Sequence, residues 1–280
     1  NVSYDDDYIE FDATGRKGNA VIAAKDANGK ILWSWHIWLT DKPEEQVYYN
    51  KAGTMMDRNL GATSAIPGDV GALGLLYQWG RKDPFLGSSS IRRNKEALST
   101  ISWPLPVVST SNTGTIEYSI THPTTYITKN DDNGDWYYMD RGTDNIRWKS
   151  SKTIYDPCPA GWRVPDGDEN GVWSETIGSA KEFVYSYNFR KKGMDFYSKF
   201  GDSNHIWYPA SGYISTYGRH IEGVRYNGTY WSVSTNGRDA YCMSLDSFGY
   251  VNPSIVGMYI SSQSYGFSVR CVKEQYTDST

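Results

Sequence analysis

The chain has 280 residues, 15% of them aromatic, and a formal net charge of −4 at pH 7. This charge balance argues against a nucleic-acid partner, because nucleic-acid-binding proteins gather Lys and Arg into a basic face. The apolar runs, such as 31–39, fall far short of the roughly 20 residues that cross a bilayer, so no transmembrane segment is predicted.

Strand patterns begin near the amino-terminal end. Alternating or β-branched runs predict three strands: Tyr8–Phe11, Asn19–Ala24 and Ile31–Thr40. The segment from Asp26 to Gly29 predicts the turn of a hairpin, because Asn-Gly tolerates the positive φ that tight turns require. In the third strand, Trp33, Trp35 and Ile37 share one face. We expect that apolar face to be covered, by this domain or by another one.

The middle of the chain differs in composition from its ends. Residues 87–150 are rich in Ser, Thr and Asn, which predicts long loops and hairpins, one of them between 126–128 and 136–138. A helix is predicted at Ser174–Tyr187, because Ile177, Val184 and Tyr187 follow a helical stripe. Four further strands are predicted: Ile206–Ile214, Gly223–Ser234, Ala240–Leu245 and Gly266–Val272. The fold class is therefore predicted to be α+β and mainly β.

The three cysteines are Cys158, Cys242 and Cys271. They show neither Cys-x-x-Cys spacing nor a nearby His cluster, which argues against a zinc site. One disulfide and one free thiol is the simplest oxidised arrangement. We predict neither a metal nor an organic cofactor.

Four short blocks together carry a family resemblance. They are Met56–Ala62, Tyr77–Phe85, Tyr155–Pro165 and Gly266–Val272. In this order they resemble the Fibrobacter succinogenes major paralogous domain, over roughly residues 47–275. The preceding lead, with Gly18–Ala23 and Ile31–His36, resembles the join between a β-sandwich and this domain in fimbrillin-like surface proteins of gut Gram-negative anaerobes.

The resemblance implies a domain organisation and a location. It implies strands from the end of a β-sandwich at 1–46, a C-type-lectin-like domain with long loop insertions at 47–275, and a tail at 276–280. Within such a fold the segments of Cys158 and Cys271 lie side by side, so these two cysteines are expected to form a disulfide. The family further implies export, commonly as a surface lipoprotein, to the extracellular side of the outer membrane.

The sequence offers little support for an enzyme. The formylglycine-generating enzyme shares the C-type-lectin-like fold but needs a close pair of reactive cysteines, which the Cys158–Cys271 disulfide would prevent. A glycoside hydrolase is kept as an alternative, because two carboxylates roughly 5–10 Å apart can come from any part of a chain. The run Asp131–Asp135 offers oxygen ligands at alternate positions, but it lacks the Glu that closes an EF-hand loop. Whether calcium binds there is left open, and a hairpin turn is the alternative.

Two aromatic-rich segments, within 213–230 and 246–265, form the predicted binding face. Flat aromatic rings stack on sugar rings, while guanidinium and amide groups hydrogen-bond hydroxyls or carboxylates. The predicted ligand-binding residues are Tyr217, Arg219, His220, Arg225, Tyr226, Phe248, Tyr250, Asn252 and Tyr259. The alternative is that these tyrosines pack under one another to order a long connection.

The functional prediction is a cell-surface adhesion module that presents aromatic loops to a glycan or protein ligand. One alternative is a structural fimbrial component that assembles with other fimbrial subunits through strand pairing. A second alternative is a secreted glycoside hydrolase.

Overall fold

The computed structural model describes residues 2–5, 8–13, 15–48, 52–129, 134–138, 147–169, 171–178, 184–197, 205–218, 220–247 and 255–275. Its strands are β1 (Val2–Asp5), β2 (Tyr8–Phe11), β3 (Gly18–Lys25), β4 (Ile31–Leu39), β5 (Glu45–Val47), β6 (Thr54–Met56), β7 (Leu76–Gln78), β8 (Val107–Val108), β9 (Ile127–Thr128), β10 (Trp162–Arg163), β11 (Val184–Asn188), β12 (Gly193–Tyr197), β13 (His205–Pro209), β14 (Tyr213–Ile214), β15 (Ile221–Glu222), β16 (Asn227–Asn236), β17 (Asp239–Asp246), β18 (Ile255–Ser262), β19 (Gly266–Ser268) and β20 (Val272–Lys273). Its helices are α1 (Ile116–Thr121), α2 (Val172–Gly178) and a short 3₁₀ helix at Val70–Ala72. This content confirms the predicted class, mainly β with a little helix.

The largest sheet is built by the last third of the chain. Its strands lie in the order β15-β14-β19-β16-β17-β18, and β7 pairs with β19. β16, β17 and β18 form an antiparallel meander that leaves β18 at the edge. Gly237 supplies a φ of 63° in the tight loop between β16 and β17, a conformation that suits glycine. The predicted strand at Ile206–Ile214 is divided, because Gly212 adopts a φ of 74° between β13 and β14.

The meander has two faces, because side chains alternate across a strand. One face, with Tyr230 and Met243, packs against α2, β12 and β13 in a first hydrophobic core. The other face contributes Trp231 and Cys242 to a second core that also contains side chains of β7 and β19. Towards the far end of β17 the same face carries Ser244 and Asp246, which are only half-buried and line a cleft. The second face therefore has a buried end and an open end.

The two segments that the family resemblance places side by side do lie together. β10 pairs antiparallel with β20, with Trp162 opposite Lys273. Cys158 and Cys271 form a disulfide with their Cα atoms 6.0 Å apart, as the resemblance implied. Their sheet continues through β6 to β5, so the proposed boundary at residue 46 falls inside a paired strand. The division into a lead at 1–46 and a domain at 47–275 stays a prediction.

The β3–β4 hairpin is held on the rest of the chain by polar contacts. Ser34 is buried, and its hydroxyl donates to Asp83 Oδ1 at 2.7 Å. On the same face Trp38 Nε1 donates to the carbonyl oxygen of Ala62 at 2.9 Å. Trp35, on the opposite face, is 36% exposed. The face that carries Ser34 is therefore covered, and the apolar face that we expected to be covered is covered in part. On that face Trp33 lies 6.3 Å from Tyr155 between ring centroids, whereas Trp35 is open to solvent.

The helix prediction at Ser174–Tyr187 is wrong in its second half. The helix α2 ends at Gly178, and the residues after 183 form β11, which pairs with β12 along its whole length. Pairing with a neighbouring strand overrides a local helical pattern. The sequence also missed α1, whose six residues are too short for a clear period. In the part of the chain that the structure describes, no helix is both long and apolar enough to cross a membrane.

Two loop predictions are also wrong. Residues 126–128 and 136–138, the predicted strands of one hairpin, are not paired with each other, and β9 pairs in parallel with β8 instead. Residues 131–133 of the predicted turn lie outside the described residues. The expected loop at 246–265 contains the eight-residue strand β18, which pairs with β17. In both cases pairing with another strand determines the structure: β9 pairs with β8, and β18 pairs with β17. A local sequence pattern does not show which strand will be the partner.

Candidate functional site

Tyr217 lies at the tip of the β14–β15 hairpin with 65% of its surface exposed. The tip is anchored from below by Tyr126, whose hydroxyl donates to the carbonyl oxygen of Ser215 at 3.2 Å. Gly218 adopts a φ of 66°, and a Cβ there would lie 2.3 Å from the ring of Tyr126. Glycine is required at this position for both reasons. Because Gly218 packs against Tyr126, the hairpin tip is held in place and Tyr217 beside it faces solvent.

The half-buried Arg225 and the exposed Tyr226 form a second group just before β16. The Arg225 guanidinium lies 4.4 Å from the ring centroid of Tyr226, which is itself 43% exposed. Arg225 Nη1 donates to the carbonyl oxygen of Arg92 at 3.2 Å, and Asn94 Oδ1 accepts from the Val224 amide at 3.1 Å. The loop around residues 92–94 thus supports this group.

Arg225 has a φ of 74°, which costs a non-glycine residue roughly 1–2 kcal/mol. Backbone strain of this kind often accompanies binding sites, where the surrounding structure maintains it. The hydrogen bonds to residues 92 and 94 maintain it here.

His220 belongs to the same exposed region. Its Nδ1 atom lies 4.0 Å from Glu96 Oε1, and both side chains are largely exposed. Exposed pairs of this kind contribute little to stability. Arg219, the neighbouring predicted site residue, lies outside the described residues. Three predicted residues of the first segment, Tyr217, His220 and Tyr226, are therefore exposed enough for ligand contact, and the half-buried Arg225 lies against Tyr226.

Of the four predicted site residues in the second segment, the structure describes one, Tyr259. Tyr259 is described, is 47% exposed and lies on the edge strand β18 rather than in a loop. Gln263, in the same segment, is fully buried, where it bonds the side chain of Arg147 and donates to the carbonyl oxygen of Asp239. Phe248, Tyr250 and Asn252 lie outside the described residues.

An open cleft occupies the uncovered end of the meander's second face. Its volume is about 380 Å³. It is lined by Thr229, Cys242, Ser244, Asp246, Tyr259, Ile260 and Ser261. Among these residues only Tyr259 is predicted as a site residue from the sequence. The alternation of Cys242, Ser244 and Asp246 along one strand is a signal for a shared face, but their partners on β16 and β18 depend on the register.

The electrostatics of the cleft are set by partial burial. Burial raises the pKa of the Asp246 carboxyl above its ordinary value, and a hydrogen bond from Asn227 opposes that rise. At the inner end of the cleft, burial raises the pKa of the Cys242 thiol to about 12, so this free cysteine is protonated and unreactive at neutral pH. The Cys242 thiol donates to Ser261 Oγ at 3.6 Å.

The calcium-like run is described only at its end. Asp135 is buried and accepts from Arg147 Nη2 at 2.8 Å, while the Arg147 guanidinium lies 5.0 Å from the ring centroid of Trp136. This carboxylate is thereby occupied by a structural ion pair. Residues 131–133 lie outside the described residues. Across the ranges given above, no group of three or more His, Cys, Asp or Glu side chains is placed to hold a metal ion.

Comparison with known proteins identifies no relative: no protein-family model matches the chain, and no curated protein or solved structure matches it.

Proposed function

We propose that this chain is an extracellular adhesion module that binds a glycan or a protein at the surface around Tyr217, Arg225 and Tyr226. The observation that carries the proposal is the exposure of two tyrosines on anchored supports. Tyr and Arg are the residue types that dominate binding hot spots, because they offer a large contact area and directional hydrogen bonds. Holding them on an ordered support reduces the entropy that is lost on binding.

We further propose that the framework is a C-type-lectin-like domain of the major paralogous family. Two features support this assignment: the pairing of β10 with β20 and the Cys158–Cys271 disulfide. The disulfide also supports an extracellular location, because structural disulfides persist in oxidising compartments. The family assignment additionally rests on the four sequence blocks.

The test is a binding comparison on a glycan array and on a panel of immobilised surface proteins. Wild type is compared with the double variant Tyr217→Ala/Tyr226→Ala. Tyr8→Ala, which removes an exposed tyrosine from the separate β1–β2 hairpin, is the matched control. We expect wild type and the control to bind the same ligands, and the double variant to lose at least tenfold in affinity, about 1.4 kcal/mol. Equal binding by the double variant would contradict the proposal.

A structural fimbrial component is a second candidate, favoured by the exposed Trp35 on the apolar face of the β3–β4 hairpin. On that face Ile22 stands opposite Trp35, and the hairpin pairs with no further strand within the described residues. Trp35→Ser should abolish assembly with neighbouring subunits while leaving the fold intact, because Trp35 is exposed and the hairpin is held by contacts of Ser34 and Trp38. Size-exclusion chromatography of wild type and variant measures this directly, and unchanged assembly by Trp35→Ser would contradict the second candidate.

A further inference from the structure

The open cleft at the end of the second face has the size of a small-ligand pocket. Its volume of about 380 Å³ lies within the usual range of about 300–1,000 Å³ for such pockets. Its floor is formed by the second-face side chains of β17, chiefly Ser244 and Asp246, with Thr229 opposite Ser244 on β16. The inner end is closed by the core around Trp231. The cleft is therefore bounded by a rigid sheet and opens to solvent at one end.

Tyr259 forms one wall of this cleft, and Gly257 determines its position. A Cβ on Gly257 would lie 3.2 Å from Cε2 and 3.4 Å from Oη of Tyr259, so the tyrosine ring lies over the bare backbone of the glycine. Gly257 stands opposite Ser244 in the register. The absence of a side chain thus lets the ring lie along the sheet beside the polar floor, with its other face free for a ligand.

The polar groups of the floor suit hydroxyl partners. Thr229 Oγ1 and Ser244 Oγ lie 3.4 Å apart, a weak mutual contact that leaves each hydroxyl able to donate and accept further bonds. Asp246 forms no ion pair within the described part of the chain. A carboxylate can accept several hydroxyl hydrogen bonds at once, and Asn227 holds it in place from the adjacent strand.

A neutral ligand fits this lining better than a cationic one. An amine would depend on an ionised Asp246 as its main partner. A sugar instead offers several hydroxyls, which can bond Asp246, Ser244 and Thr229 at the same time. The remaining polar groups of the floor, on Thr229 and Ser244, are uncharged.

We propose that the cleft binds one neutral hexopyranose unit of a glycan, with the sugar ring against Tyr259 and its hydroxyls bonded to Asp246, Ser244 and Thr229. This assignment rests on the proposed role as a binding module, and it adds a second contact surface and a ligand class. The cleft and Tyr226 lie at the same end of the sheet, because Tyr226 immediately precedes Asn227, which is paired with Asp246.

The test is a titration of the full chain followed by nitrogen-15 NMR. The probes are the methyl glycosides of glucose, galactose and mannose, each raised to roughly 50 mM, where binding with a Kd near 1 mM saturates. We expect at least one glycoside to shift the amide signals of Ser244, Asp246 and Tyr259 along a saturating curve. Gly257→Val, which displaces the Tyr259 ring, and Asp246→Asn should each raise the Kd at least tenfold. Tyr185→Ala, an exposed tyrosine on another sheet, should leave it within about twofold.

The possible outcomes separate this proposal from the proposed function. The cleft assignment is overturned if no glycoside shifts the cleft signals, if Gly257→Val and Asp246→Asn bind like wild type, or if ethylamine shifts those signals and the glycosides do not. Shifts confined to Tyr217 and Tyr226 would overturn the cleft while leaving the adhesion module intact. Failure of the adhesion module itself is read from the array, where the Tyr217→Ala/Tyr226→Ala variant would bind as wild type does.

Discussion

Removing the disulfide should destabilise the protein without changing its fold. The bond closes a loop with a sequence separation of 113 residues. On the chain-entropy account, a loop of this length restricts the unfolded state by roughly 4–5 kcal/mol at 25 °C. Each kcal/mol shifts the melting temperature of a domain of this size by roughly 2–4 °C. The double variant Cys158→Ala/Cys271→Ala is therefore expected to melt roughly 8–20 °C below wild type.

The assay is thermal unfolding followed by circular dichroism, with Cys242→Ala as the matched control. That control also deletes a buried sulfur but cuts no cross-link, so we expect it to cost only about 1 kcal/mol. Thiol titration of unfolded, unreduced wild type should find one thiol, belonging to Cys242. A double variant that melts no lower than the control, or a free thiol at Cys158 or Cys271, would refute the reasoning.

Three further predictions concern the buried framework. Arg147→Ala leaves the carboxylate of Asp135 buried without its guanidinium partner, and chemical denaturation should show that the free energy of unfolding falls by about 3–5 kcal/mol. A fall of less than about 1 kcal/mol would contradict the buried ion pair. Burial lowers the pKa of His36 from 6.5 to about 4, so the unfolded state binds the proton more readily and stability falls as pH drops from 6.5 towards 4. In the His36→Gln variant the free energy of unfolding should depend less on pH between 6.5 and 4. An unchanged pH dependence would contradict the role of His36. Gly80→Ala places a Cβ 2.6 Å from the side chain of Arg147 at a φ of 81° and should cost several kcal/mol of stability. The control Gly237→Ala, at a φ of 63° with open space around it, should cost only about 1 kcal/mol. Equal melting temperatures of the two variants would refute the predicted clash.

The parts of the fold that the sequence predicts well are those set by local chemistry. The turn at 26–29 forms as expected, because Asp26 Oδ1 accepts from the amides of Asn28 and Lys30 and Gly29 adopts a φ of 82°. Alternation also predicts β16 and β17, whose successive side chains alternate between the two cores. The β10–β20 contact was found through the family resemblance rather than through any local pattern.

The parts that the sequence does not predict depend on distant partners. The spacing of Ile177, Val184 and Tyr187 suits a helix. Val184 and Tyr187 nevertheless lie in a strand, because β11 pairs with β12. The β3–β4 hairpin packs on the rest of the chain through the face with Ser34, because the Ser34 hydroxyl finds a buried acceptor in Asp83. No local pattern reveals that partner, which lies 49 residues further along the chain.

The candidate site was predicted in the same uneven way. Tyr217, Arg225 and Tyr226 stand out as aromatic and cationic residues among Gly and Ser, and the exposure of the two tyrosines supports the choice. The cleft was missed because it needs the register of three strands to bring Thr229, Asp246 and Tyr259 together. Ser, Thr and Asp carry no distinctive signal when they are considered singly along a strand.

The most direct test of the adhesion account is a crystal structure of the protein with the tightest-binding oligosaccharide from the array. The account predicts electron density for the sugar in contact with Tyr217 or Tyr226 at the end of the sheet where β16 begins. Density on the β3–β4 hairpin, or anywhere remote from those tyrosines, would contradict the claim that this end of the sheet is the ligand-binding surface.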